Sequence, residues 1–187
     1  MPFGAPSSFC PAVTLQYREY TDDKEDAVSK GQRPSYQDAL RAIGRYFDRN
    51  VYRHVLVAEV DDGYVARAFP GHQSSLKAEG IALPMADVLA LIAAQDQGRD
   101  GTGSDVKMPS LLPTGYEDFF RSLGYEMDVA KAGFVTLVEL STGTLVSYAA
   151  KGAKGGLERA QRFYDPPRID DLLTQGYQRR AASEATA

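Results

Sequence analysis

The stretch that decides the fold is residues 36–68, which read YQDALRAIGRYFDRNVYRHVLVAEVDDGYVARA. Laid without a gap over residues 116–148, an offset of 80, it gives eight identities in 33 positions. Average residue usage would give about two. The identical pairs are Tyr36 and Tyr116, Asp38 and Asp118, Arg41 and Arg121, Gly44 and Gly124, Asp48 and Asp128, Val55 and Val135, Glu59 and Glu139, and Gly63 and Gly143. The sequence therefore predicts an internal duplication covering residues 36–69 and 116–149.

Each copy is predicted to begin with a helix and to continue as a hairpin. Ser35 and Thr114 are typical N-cap residues, and each is followed three positions later by an acidic residue. Apolar residues then recur at helical spacing in both copies. Behind each helix, two β-rich runs are separated by a short turn that contains Gly63 or Gly143. The predicted unit is αββ.

Two features of the unit call for tertiary explanations. Glycine inside a helix costs up to about 1 kcal/mol relative to alanine, so the matched Gly44 and Gly124 suggest a close approach, which we expect to be between each helix and its own hairpin. The first strand of each unit also carries apolar residues on both faces, as at Val57 and Leu56. In a sheet with one solvent-exposed face, apolar and polar residues would alternate more regularly along each strand. Additional helices or a second subunit would cover the other face.

The predicted fold is α+β, with two αββ units forming an antiparallel, four-stranded sheet on which helices pack. A helix starting at Pro84, a short helix over residues 157–164 and a last helix to about Arg180 are expected around it. The predicted organisation is an N-terminal arm over 1–34 with an edge strand at 13–20, one globular domain over 35–181 with an inserted helix at 84–97 and a glycine-rich loop at 98–115, and a disordered tail over 182–187.

Composition narrows the classes of protein. The chain has 187 residues, and 43% of them are apolar, which is typical of a globular protein. Its net charge of -4 argues against nucleic acid or an anionic membrane as a partner. No apolar run approaches the eighteen or so residues of a membrane span, so we expect a cytoplasmic protein. The single cysteine, Cys10, excludes an intrachain disulfide and a multi-cysteine metal site. No cofactor is expected.

The glycine-rich segment after the second hairpin is the first candidate site. Lys151, Lys154, Gly155 and Gly156 lie where a strand is predicted to meet the start of a helix. Backbone N–H groups at a helix start, with lysines nearby, suit a phosphate or carboxylate. The alternative is a basic connector without a ligand.

Glu59 and Glu139 are the second candidates, as weak catalytic residues. If the two units pair about a local twofold axis, these carboxylates converge, and paired carboxylates perform acid–base or metal chemistry. Each also lies close to a turn, where a solvated glutamate is ordinary. His54 and His72 are the only histidines, and neither belongs to a recognisable catalytic or zinc set. No metal ligands are assigned.

Three functions remain open from the sequence. The first is a non-enzymatic binding or protein-interaction module that associates with itself, as a homodimer, or with another protein. The alternative is an enzyme acting on a phosphorylated or carboxylated small molecule, with Lys151 and Lys154 binding the anion and Glu59 or Glu139 as base. The third is nucleic-acid binding across the sheet through Arg67. The sequence does not identify a ligand, a reaction or an oligomeric state.

Overall fold

The computed structural model describes residues 33–71, 77–96, 115–152 and 156–185. These residues form four helices and six strands. In chain order they are α1 (Tyr36–Arg49), β1 (Tyr52–Val60), β2 (Gly63–Pro70), β3 (Glu79–Pro84), α2 (Met85–Asp96), α3 (Tyr116–Val129), β4 (Gly133–Leu140), β5 (Gly143–Lys151), β6 (Leu157–Tyr164) and α4 (Pro166–Glu184). The α+β class is confirmed, as are the predicted helices and hairpins at 36–69 and 116–149.

All six strands belong to one antiparallel sheet with the order β3-β2-β1-β4-β5-β6. The prediction of four strands is wrong, because β3 and β6 each add an outer strand to a predicted hairpin. β1 and β4 meet at the centre through three registered pairs, with Val57 opposite Leu137 in the middle. Each half of the sheet therefore comes from one half of the chain.

The two outer strands have weak sequence patterns. The six-residue β3 contains Gly80. β6 reads LERAQRFY, and the helix predicted over these residues is wrong. Charged residues are favoured at the edge of a sheet, where they discourage pairing with other chains. Eight registered pairs with β5, from Thr144 opposite Tyr164 to Lys151 opposite Leu157, override the helical preference of this segment.

The helices form one layer, because α1 packs against both α2 and α3, and α3 packs against α4. This layer covers the face of the sheet that carries Val57, Leu137 and Val146, each at most 1% exposed. The largest buried side chains of the helices join the same core and include Phe47, Phe119, Phe120, Leu40, Ile43, Leu123 and Met127. One apolar core thus lies between a helical layer and one face of the sheet.

The closest contact in this layer is between α1 and α3. A Cβ atom on Gly44 would lie 2.6 Å from the carbonyl oxygen of Tyr116 at the start of α3. A Cβ atom on Gly124 would lie 2.6 Å from the Cα atom of Gln37 at the start of α1. The predicted approach of each helix to its own hairpin is therefore wrong, since each glycine admits the backbone of the other helix.

Each of these helices also caps the other. Asp128, in the last turn of α3, accepts the N–H groups of Tyr36 and Gln37 at 2.8 and 2.9 Å. Asp48, in the last turn of α1, accepts those of Tyr116 and Glu117, both at 2.9 Å. Burial raises the pKa of Asp48, although its two backbone hydrogen bonds act in the opposite direction. The four contacts satisfy N–H groups that a helix leaves unpaired at its start.

The element boundaries agree with the sequence in most places. Ser35 caps α1 as predicted, because its side chain accepts the N–H of Asp38. The inserted helix begins at Met85, directly after β3, rather than at residue 84. α4 continues to Glu184, so the first residues of the tail predicted to be disordered are helical. The N-cap of α3 is Gly115, so the prediction of Thr114 at that position is wrong. The predictions for residues 1–32 and for most of the loop at 98–115 lie outside the described residues.

We predict that Gly44→Ala and Gly124→Ala each lower the free energy of unfolding by about 1 to 3 kcal/mol, as overpacking does. In a helix without such a contact, the same change raises the free energy of unfolding by up to about 1 kcal/mol. The sign of the change therefore shows whether the helices are in close contact. Urea denaturation measures the difference. Gly80→Ala is the control, because nothing lies within 4 Å of its added Cβ atom. Stabilisation by either helix substitution would contradict the close helix contact.

Candidate functional site

The structure does not bring Glu59 and Glu139 together. They lie on β1 and β4, two residues beyond the central pair of Val57 and Leu137 and in opposite directions along the sheet. Four residues of strand separate them, which corresponds to about 13 Å. Their arrangement is not that of a carboxylate pair that shares a proton or a metal ion.

Each glutamate instead joins a helix to the centre of the sheet. The Glu59 Oε2 atom accepts the hydroxyl of Tyr36 at 2.7 Å and the N–H of Val135 at 2.9 Å. The Glu139 Oε2 atom accepts the hydroxyl of Tyr116 at 2.5 Å and the N–H of Val55 at 3.0 Å. Burial, and then the charge of Glu139, raise the pKa of Tyr116 above its usual range.

The backbone explains why these N–H groups are available. The pairing of β1 with β2 shifts between Arg53 and Leu56, and that of β4 with β5 shifts between Gly133 and Thr136. His54 and Phe134 lie within these bulges with positive φ angles of 52° and 56°. Bulges leave ladder groups unpaired. The glutamate side chains supply the missing acceptors, which gives both residues a structural role.

Charged side chains of α1 and α3 make contacts with other helices. The Arg41 Nε atom donates to Glu117 Oε1 at 3.0 Å across the α1–α3 contact. Asp118 contacts Arg180 of α4 at 3.5 Å and accepts the hydroxyl of Tyr177 at 3.1 Å. The charged residues of α1 and α3 therefore bind neighbouring helices.

The glycine-rich segment has a different setting from the one predicted. Lys151 ends β5 and Leu157 begins β6, so the segment connects two antiparallel strands and does not open a helix. The N–H of Gly152 donates to the carbonyl oxygen of Gly156 at 2.8 Å. Lys154 and Gly155 lie outside the described residues. Anion binding at this turn stays a prediction, without the helix start that motivated it.

Two further sequence candidates concern metal ions and histidine. No group of three His, Cys, Asp or Glu side chains in the described residues is arranged to hold a metal ion. His54 is exposed at its bulge, and its ring packs edge-on against Phe69 at 6.2 Å between centroids. His72 lies outside the described residues. No described helix is long and apolar enough to cross a membrane.

The second face of the sheet is a surface feature that the structure adds to the sequence analysis. Strand register aligns one row of side chains across all six strands and a second row beside it. The first row contains Gly80, Arg67, Leu56, Val138, Leu145 and Phe163, and the second contains Ala82, Val65, Ala58, Thr136, Ser147 and Gln161. Val65 is 42% exposed and Phe163 is 36% exposed. We call these two rows the open face.

The open face was not predicted, although the apolar residues on both sides of β1 and β4 indicated that two faces need cover. The helical layer covers only one of them. Phe163 was assigned to a helix in the sequence, so its alignment with Leu145 was hidden. The strand register supplies the information that was missing.

We predict that Tyr116→Phe makes the protein less sensitive to alkali. Unfolded tyrosine ionises near pH 10, whereas folded Tyr116 keeps its proton to higher pH. Above pH 10 the unfolded chain therefore binds fewer protons, and the free energy of unfolding falls by up to about 1.4 kcal/mol per pH unit for each such tyrosine. The substitution should reduce this slope by roughly 1 kcal/mol per pH unit.

Urea denaturation from pH 8 to pH 12 gives this slope. At pH 8 the same substitution should cost about 1.5 to 3 kcal/mol, because it removes a hydrogen bond to a charged group. Tyr125→Phe is the control for losing a hydroxyl on the exposed surface, because Tyr125 is 38% exposed. An alkaline slope equal to that of the unmodified protein would show that Tyr116 already ionises in the native state.

Comparisons of the chain with protein families, with curated proteins and with solved structures found no match.

Proposed function

We propose that this protein is a non-enzymatic interaction module that binds protein through the open face, and that its first partner is a second copy of itself. The observation that carries this proposal is the first row of the open face, which is apolar from Leu56 on β1 to Phe163 on β6. Leu56, Val138 and Leu145 lie at its centre, half-buried by their neighbours. A contiguous apolar surface of this kind is typical of an interaction site.

The chemistry of the open face favours protein over nucleic acid. Its two rows contain one charged side chain, Arg67, near one edge. A sheet that binds nucleic acid presents several basic groups and stacking aromatic rings. Two sheets, by contrast, pack face to face when their facing side chains are apolar and of moderate size. A low charge also lets identical faces approach one another without strong repulsion.

We also propose that the chain arose by duplication of an αβββα unit, longer than the αββ unit in the sequence. The same contacts recur at residues 80 apart, including the aspartate caps, the tyrosine–glutamate bonds and the positive φ angles of Gly63 and Gly143. The strand order agrees with this origin, because β1, β2 and β3 run outward from the centre of the sheet on one side as β4, β5 and β6 do on the other. The cytoplasmic location and the enzymatic alternative at Lys151 stay predictions.

We predict that a charge placed on the open face separates the dimer. Val65→Glu combined with Phe163→Glu should weaken self-association at least tenfold, about 1.4 kcal/mol, because two like charges are desolvated at the interface. Sedimentation velocity from micromolar to submillimolar concentration measures the change. Leu89→Glu is the matched control, since Leu89 is 44% exposed on α2 in the helical layer.

Circular dichroism of each variant checks whether it remains folded. A monomer over the whole concentration range would show that self-association is wrong. A dimer that the control disrupts and the double substitution does not would place the interface on the helices.

A further inference from the structure

A cavity of about 240 Å³ lies where α4 packs against α3 and the start of α1. Three arginines line it, namely Arg121 from α3 and Arg179 and Arg180 from α4. The cavity is on the helical layer, so it is separate from the open face. Its size suits a small anion or the charged end of a small metabolite.

The positive charge in this cavity is incompletely balanced. Arg180 approaches Asp118 at 3.5 Å. Within the described ranges, no carboxylate lies at ion-pair distance from Arg121 or Arg179. The guanidinium of Arg179 lies over the ring of Tyr125 at 4.1 Å. Burial, and then the charges of Arg41 and Arg180, lower the pKa of Arg121, while the charges of Asp118 and Glu117 act in the opposite direction.

A buried hydroxyl also lines the cavity. Ser122 is 2% exposed, and its Oγ atom has no hydrogen-bond partner among the residues that the structure describes. Gly176 of α4 packs closely against this hydroxyl, because a Cβ atom at that position would collide with the Ser122 Oγ atom. A buried polar group without a partner costs about 1 to 3 kcal/mol. A ligand oxygen in the cavity would remove this cost.

The related position in the other half of the chain shows which group is missing. There, Glu117 Oε1 bonds to Arg41 at 3.0 Å and approaches Arg45 at 3.9 Å. Eighty residues apart, Arg41 corresponds to Arg121 and Glu117 corresponds to Gln37. Gln37 lines the cavity but carries no charge. A carboxylate that neutralises arginines in one half is thus replaced by an amide in the other.

Arg45, the second arginine that Glu117 approaches, also has a counterpart of a different kind. Arg45 corresponds to Tyr125, which brings no charge of its own. Arg179 stacks on Tyr125 and supplies a guanidinium in its place. Arg121 and Arg179 therefore lie around the position that is equivalent to the Glu117 carboxylate. Arg180 adds a third guanidinium to the cavity.

We propose that this cavity binds a phosphate group, as inorganic phosphate or as a small phosphate monoester. Arg121, Arg179 and Arg180 supply planar donors that match phosphate oxygens, and Ser122 supplies a hydroxyl. A dianion balances the three arginines better than a single carboxylate does, since Asp118 already offsets part of Arg180. The site is independent of the open face.

Isothermal titration with inorganic phosphate, at constant ionic strength, tests the proposal. We expect saturable binding at one site in the full chain. Arg121→Gln should raise the apparent Kd at least tenfold, and Ser122→Ala should raise it by a smaller factor. Arg67→Gln is the matched control, because it removes an exposed arginine on the other face of the sheet from the cavity. We expect its Kd to stay within about threefold.

Gln37→Glu tests the proposal most directly, because it restores the missing carboxylate. A carboxylate at position 37 should occupy the cavity as Glu117 does in the other half, so phosphate binding should be lost while the thermal unfolding midpoint stays equal or rises. A folded variant that binds phosphate as the unmodified protein does would overturn the proposal. Absence of phosphate binding in the unmodified protein would also overturn it.

Two competition arms define the ligand. Glycerol phosphate that displaces inorganic phosphate at lower concentration supports a monoester, and weaker displacement supports the free ion. Succinate that displaces phosphate at equal concentration would overturn the assignment to phosphate. Because the open-face substitutions lie on the other side of the sheet, they should leave phosphate binding unchanged. The two proposals therefore fail separately.

Discussion

The structure depends on the contact between α1 and α3. Gly44 and Gly124 let the backbones of the two helices approach until each helix start reaches the last turn of the other. Asp48 and Asp128 then accept the N–H groups there. An acidic residue in the last turn of a helix opposes the dipole of that helix. Both aspartates are favourable only when the helices are paired, so this contact makes the two halves of the chain depend on each other.

The same contact fixes the centre of the sheet. Tyr36 and Tyr116 are the first residues of the two helices, and the aspartate caps hold their backbones. Their hydroxyls reach Glu59 and Glu139, which accept N–H groups from the opposite central strand. Since β1 and β4 share only three registered pairs, these side-chain bonds extend a short ladder. The helix pair and the strand pair therefore stabilise one another.

Local patterns predicted most elements correctly. The helical spacing and the glycine turns of residues 36–69 and 116–149 are strong because packing on a single core requires them. β3 and β6 lack such a pattern, since an edge strand is held by its one neighbour and tolerates charge on its exposed side. Their existence follows from pairing with β2 and β5, which no window of sequence contains.

The site residues were harder to predict for a related reason. Glu59 and Glu139 were recognised as a matched pair, but their roles depend on register, because a carboxylate contacts the residue opposite it and not its counterpart. Asp48 and Asp128 were recognised only as identities, and the signal that was missed is their unfavourable place at a helix end, which an N–H partner would explain. The open face depends on all helices lying on one side of the sheet, which only the tertiary structure shows.

The differences between the halves are informative because so many contacts are the same. The same tyrosines, glycines, aspartates and glutamates occur 80 residues apart in the paired helices and central strands, where they make the same contacts. Arginine is kept at 41 and 121 as well, yet its partner changes from Glu117 to Gln37. The fold accommodates the carboxylate, so packing does not explain its absence. A partly buried arginine with no described carboxylate at ion-pair distance is costly, and local conflicts of this kind are expected where a ligand completes the site.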